Sequence, residues 1–171
     1  MSGSLAPERM RAPGPASVRG LRWRIKDAFV SYIMGRAGGR YALADGAELL
    51  PDRYFAFPLA TQADPERAQF GGTVGFRAHG GMLQLALSAP ALRRTPDGIE
   101  LIVAVDGQPT VIAIGPAGAS AAGAEGFWEG VLPHLTSAGC AFFGDAYEPG
   151  EPLDALHVWH PAMAVPRGAE R

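Results

Sequence analysis

Apolar positions recur at two different spacings along this chain, and the change of spacing divides it into elements. In residues 21–40, LRWRIKDAFVSYIMGRAGGR, the pattern predicts a helix. Between Lys26 and Arg36 the residues three and four apart are Ala28, Phe29, Tyr32, Ile33 and Arg36, which share one face at 3.6 residues per turn. Asp27, Ser31 and Met34 turn elsewhere, so Tyr32 is expected to face inward. Asp27 sits in the first turn, where a carboxylate favours the exposed amides. Gly35 and the Gly38-Gly39 pair are expected to end the helix by accepting positive φ.

Beyond residue 40 the period shortens to two. RYALADGAELL places the Asp45-Gly46 turn dipeptide between short apolar runs and predicts a hairpin. YFAFPL alternates aromatic and small residues until Pro58 confines it to an edge or a strand end. Residues 72–78 and the run from Leu83, with Leu83, Leu85 and Leu87 on one face, read as strands joined by a turn at His79-Gly80-Gly81. IELIVAV and TVIAI, joined through Asp106-Gly107, predict another hairpin, and residues 115–126 a flexible loop. Residues 127–132 read as a strand, Thr136 as the N-cap of a short helix through Phe143 closed by Gly144, and residues 155–159 as a last strand. Many short strands with turn signals about every ten residues, and two helical pieces, predict a mainly β chain. Its expected architecture is an antiparallel β-sandwich with two short α-helices.

Length and composition bound the rest. A chain of 171 residues suits one domain. Residues 21–160 are expected to form it, between a disordered leader over residues 1–20 and a flexible tail over 161–171. The formal net charge of −2 leaves no broad basic face for nucleic acid. No apolar run reaches the eighteen or so residues of a membrane-spanning helix, nor does the leader hold a signal peptide's apolar stretch. A cytoplasmic location is therefore expected for the chain as written, and a cell-surface or secreted one if the start lies upstream. Cys140 is the single cysteine, which excludes an intramolecular disulfide and a thiolate metal cluster.

Common catalytic signatures are missing: the sequence has no phosphate-binding loop, no GxSxG and no HExxH. GRAGGR follows a helix where a dinucleotide fingerprint follows a strand, so nucleotide binding there is rejected. His134, His157 and His160 read as surface groups. His79 stands apart, because a histidine at a strand end among glycines can point over the rim of a sheet toward another element.

The order LRWRIKDAFVSYI, then GTVGFRAHGGMLQLALSAP, then LTSAGCAFFGDAYEPGEPLD resembles the haem transport-associated (HtaA) domain family, known from haem capture at Gram-positive cell surfaces. The resemblance spans most of residues 21–160 and implies a β-sandwich with two short helices. It implies that Tyr32 ligates the iron of a ferric haem b, that His79 of the F-x-x-H-G block hydrogen-bonds Tyr32, and that Tyr147 takes part. Given a haem there, the helix face of Tyr32 offers Phe29 and Ile33 as apolar wall and Arg36 as a cation for a propionate. The implied role is haem uptake, transfer or buffering, with another haem-carrier protein as partner, rather than catalysis. A haem-dependent enzyme or sensor, and an interaction domain of the same fold without haem, are the alternative readings.

Overall fold

The structure is a computed structural model that describes residues 20–60, 66–116 and 127–159. Its strands are antiparallel throughout and fall into three sheets around one core, with two short helices. One sheet runs β11 (Phe127–Val131), β13 (Leu156–Trp159), β1 (Gly20–Trp23), β4 (Phe55–Pro58), β3 (Glu48–Leu49). A second runs β12 (His134–Leu135), β10 (Gln108–Pro116), β9 (Gly98–Val105), β8 (Ala91–Thr95), β5 (Arg67–Gln69). The third, and the one that positions the site, is β2 (Arg40–Ala44), β6 (Thr73–Ala78), β7 (Leu83–Ser88). This is the expected mainly β sandwich. The leader through residue 19, the tail, His160 and residues 117–126 of the expected loop lie outside the described residues.

The expected helix over residues 21–40 is much shorter, α1 at Asp27–Met34, and its first part is strand β1. Leu21, Trp23 and Ile25 are fully buried while Arg22, Arg24 and Lys26 are only partly so, which is the period-two signature of a strand. Gly20, assigned to the leader by the sequence, opens that strand opposite Trp159 and Pro58. Ile25, at φ 69, makes the corner between β1 and α1. A β-branched residue with positive φ is strained, and the corner is held by its surroundings: Asp154 donates its N–H to the Ile25 carbonyl at 2.9 Å, and the Trp23 indole donates to the Asp154 carbonyl at 2.9 Å.

An eight-residue helix does not stand alone in water. Phe29 and Ile33 anchor α1 in the core at 3% and 0% exposure, together contributing on the order of 4 kcal/mol. Its first turn is held by distant partners, since Lys26 at the N-cap supplies no side-chain acceptor. The Asp154 carboxylate accepts from the Asp27 N–H at 2.9 Å, and Arg53 pairs with Asp27 at 2.9 Å and donates to the Ser31 hydroxyl at 3.0 Å. At the other end Gly35 has φ −101, so positive φ is not its role. Gly38 takes φ 59, and Gly39 is needed for closeness, because a Cβ there would come within 2.8 Å of the Ile33 side chain.

Asp45 and Gly46 do take positive φ, at 57° and 92°, yet the turn joins no hairpin. β2 pairs with β6 and β3 with β4, so the chain passes here from one sheet to another. The Thr73 hydroxyl fixes the crossing by donating to the Asp45 carboxylate at 3.0 Å. The Asp106-Gly107 hairpin between β9 and β10 is as expected, with a bulge between Val111 and Ala113. That bulge receives the second helix, α2 (Ser137–Phe142): Thr136 donates its N–H to the Ile112 carbonyl and its hydroxyl to the Val111 carbonyl, and caps the helix by accepting from the Gly139 N–H at 3.0 Å.

Candidate functional site

Tyr32 and His79, 47 positions apart, meet at one rim of the molecule. The Tyr32 hydroxyl lies 2.9 Å from His79 Nε2, and the ring centroids are 5.7 Å apart. Tyr32 is 43% exposed, which corrects the inward orientation read from the sequence. Phe29 and Ile33, one turn apart, occupy the centre of the buried stripe, and Tyr32 sits at its edge, where the ring reaches over the rim.

The chain places His79 through an uncommon backbone. β6 ends at Ala78, and His79, Gly80 and Gly81 follow with φ of 52°, 64° and 94°. Left-handed φ at a residue bearing a Cβ costs energy and persists where the surroundings impose it. Here the His79 N–H donates to the Ala37 carbonyl at 3.3 Å, and the Met82 N–H to the His79 carbonyl at 3.2 Å. The Ala37 N–H in turn donates to the Tyr32 carbonyl at 3.0 Å. The segment after α1 and the turn after β6 thus fix the two side chains relative to each other.

Clefts open on both sides of the turn. One, of about 340 Å³, is lined by Phe29, Met82, Leu83, Leu85, Phe142 and Phe143 among others. Met82 is 93% exposed there, an apolar side chain held out in water. The other, of about 310 Å³, is lined by Gly38, Arg40, Arg77, Ala78, Gly80 and Gly81. Phe29 therefore belongs both to the core and to the cleft with Met82, whereas Ile33 is fully enclosed beneath α1. Arg36 lies beyond the last helical residue, in the turn, and is exposed.

Tyr147 stands one aromatic layer further off. Its ring packs edge-on against Phe143 at 6.2 Å, Phe143 packs against Phe29 at 5.2 Å, and the Lys26 ammonium lies 4.9 Å above the Tyr147 ring. Burial, and then the Glu151 carboxylate, push the Tyr147 phenol above its usual value. Its ring therefore stands as a neutral phenol behind Phe143, away from the Tyr32–His79 contact.

Sequence reasoning missed Asp154 and Arg53, which set the first turn of α1, and the cleft residues Arg40, Arg77, Met82 and Phe142. The alternation around Arg77 marks it as outward-facing, but its placement opposite Arg40 depends on a strand register that no local pattern reveals. His157 and His134 are elsewhere: His157 Nε2 lies 3.4 Å from the Tyr54 hydroxyl, and His134 Nδ1 lies 3.0 Å from the Gly150 carbonyl. Among the described residues no group of three or more His, Cys, Asp or Glu could hold a bare metal ion, and no helix is long and apolar enough to cross a membrane.

A mainly β domain with a tyrosine–histidine pair clamped at its rim is the class that fold and site define. The chain belongs to the HtaA family, whose profile, described as Htaa, matches residues 19–159. Among solved structures it is similar to the C-terminal domain of HtaA from Corynebacterium glutamicum, with 26% identity over 81% of this chain and 92% of that one, at a TM-score of 0.67. The N-terminal domain of the same protein has 24% identity over 82% and 96%, at 0.68. The haem-binding protein HtaB of that organism has 19% identity over 82% and 90%, at 0.65. No curated protein matches the chain.

Proposed function

We propose that this protein binds ferric haem b through the Tyr32 phenolate, supported by His79, and serves in haem uptake, transfer or buffering. The observation that carries the reading is the 2.9 Å contact between the Tyr32 hydroxyl and His79 Nε2 at an exposed rim, beside a cleft to which Phe29, Met82, Leu83 and Phe142 contribute. Membership of the HtaA family supports it, as does the shared fold with a haem-binding protein.

The arrangement suits a hard trivalent iron. A free phenol with a pKa near 10 needs about three units, or roughly 4 kcal/mol, of preferential stabilisation to be anionic at pH 7. Direct bonding to the cation would supply the largest part. His79 would supply the rest, because Nε2–H can donate to the Tyr32 oxygen and so favour its anionic form. In the ligand-free protein the phenol can itself donate to Nε2, so the proton that metal bonding would displace from the oxygen has Nε2 beside it as acceptor. Phe29, with Met82, Leu83 and Phe142, offers the porphyrin an apolar wall, Ile33 stiffens the helix from beneath, and Tyr147 backs that wall through Phe143. A second haem carrier, giving or taking the ligand at the open rim, is the partner this site suits.

Titration of the purified chain with ferric haemin tests the reading, with an expected Soret band that saturates at one haem per chain. In His79→Ala the affinity is expected to fall about 10- to 100-fold, the usual cost of losing a residue behind a metal ligand. A variant that binds as the parent chain does would remove His79 from the account. No saturable Soret change in the parent chain would remove haem.

A further inference from the structure

Arg40 and Arg77 occupy directly opposed positions on β2 and β6. Like charges facing each other across two strands are destabilising, and nothing among the described residues offsets this pair. Both side chains are exposed, and no hydrogen bond, ion pair or ring contact joins either to another described residue. Another opposed pair, Arg67 and Arg93 on β5 and β8, has its charge offset, since Arg93 is paired with Glu100, as Arg22 is with Asp52 and Arg53 with Asp27. Two opposed cations without a partner fit a ligand that brings the negative charge.

The cleft beside them is shaped for such a group. Its rim is Gly38, Gly80 and Gly81, all at positive φ, and at Gly38 and Gly80 nothing lies within 4 Å of where a Cβ would stand. Backbone amides and the two guanidinium groups can then be approached without side chains in the way. At Gly81 a Cβ would come within 3.1 Å of the Arg77 guanidinium, so the missing side chain leaves Arg77 its place against the turn. Arg77 is two residues before His79, about 7 Å along a strand. The cleft with Met82 and Phe142 adjoins the same turn from its other end. That cleft, the tyrosine–histidine pair and the cationic cleft therefore follow one another around residues 79–82.

We propose that Arg40 and Arg77 are the carboxylate anchor of the site, holding the propionate edge of an iron porphyrin whose apolar body lies over Met82 and Phe142. The proposal rests on the haem reading and adds a specificity to it: the site selects for the free carboxylates of its ligand. Guanidinium–carboxylate pairs are charge-assisted and often bidentate, and planar guanidinium forks suit them better than lysine. The pair thus sets which way round the porphyrin enters, and Tyr32 holds its metal.

Ferric haemin and its dimethyl ester, titrated into the parent chain, Arg40→Gln/Arg77→Gln and Arg36→Gln, test this. The parent chain is expected to bind haemin roughly tenfold or more tightly than the ester. The double variant should bind both equally, at about the affinity of the ester for the parent chain, with the absorption spectrum of the bound iron unchanged. Arg36→Gln should keep most of the preference. A double variant that keeps the parent preference, or an Arg36→Gln that alone abolishes it, overturns the carboxylate anchor while leaving haem binding in place. If the parent chain takes up neither porphyrin, the haem reading falls and the anchor with it.

Discussion

Tyr32→Phe is expected to lower the affinity for ferric haem by more than about a hundredfold, beyond the range reached when only a supporting residue is lost. The substitution keeps the ring and removes one atom, the oxygen that bonds to the metal and meets His79. Its effect on the fold should be small. Tyr32 is 43% exposed, and an exposed hydrogen bond contributes about 1 kcal/mol or less. The thermal midpoint of the ligand-free variant should therefore stay within a few degrees of the parent while haemin titration shows the loss. Affinity within threefold of the parent would place the ligand elsewhere.

Gly139→Ala should have the largest effect on stability. Gly139 lies in α2 where the helix touches the bulge of β10, and a Cβ there would overlap the Ile112 carbonyl oxygen and come within 2.8 Å of the Leu135 side chain. Backbone cannot yield as a long side chain can, so α2 must move off the strand. It would strain or break the bonds that Thr136 makes to the Val111 and Ile112 carbonyls. A cost of roughly 3 kcal/mol or more follows from overpacking, with a lowering of the midpoint on the order of 10 °C. Because α2 carries Phe142 and leads into Phe143, haem affinity should fall as well. Scanning calorimetry of the ligand-free variant checks this, and an unchanged midpoint would contradict the packing described at the bulge.

Where local chemistry decides an element, the sequence already shows it. Thr136 caps α2 because its hydroxyl reaches an amide three residues on, and Asp106-Gly107 closes the β9–β10 hairpin because both residues accept positive φ. The buried stripe of α1 follows from the spacing of Phe29 and Ile33. Where the outcome depends on a distant partner, the pattern misleads. Asp45-Gly46 has the same turn chemistry as Asp106-Gly107, but β3 finds a better neighbour in β4. Leu21, Trp23 and Ile25 alternate as a strand does, yet they run without a break into a helical stripe, and only the flanking strands β13 and β4 show where one period stops. The family resemblance already implied a hydrogen bond between Tyr32 and His79, and the fold brings the two to 2.9 Å. Arg40 and Arg77 were not legible, because an arginine seen alone carries no sign that another stands opposite.

In the proposed complex it is the Tyr32 oxygen that bonds to the haem iron. Resonance Raman spectra of the ferric complex, excited in the phenolate-to-iron charge-transfer band and recorded with ordinary and ring-deuterated tyrosine, test it most directly. The account predicts enhanced bands that shift on ring deuteration in the parent chain, persist in Tyr147→Phe and vanish in Tyr32→Phe. Bands that ignore the label, or that survive in Tyr32→Phe and vanish in Tyr147→Phe, would contradict it.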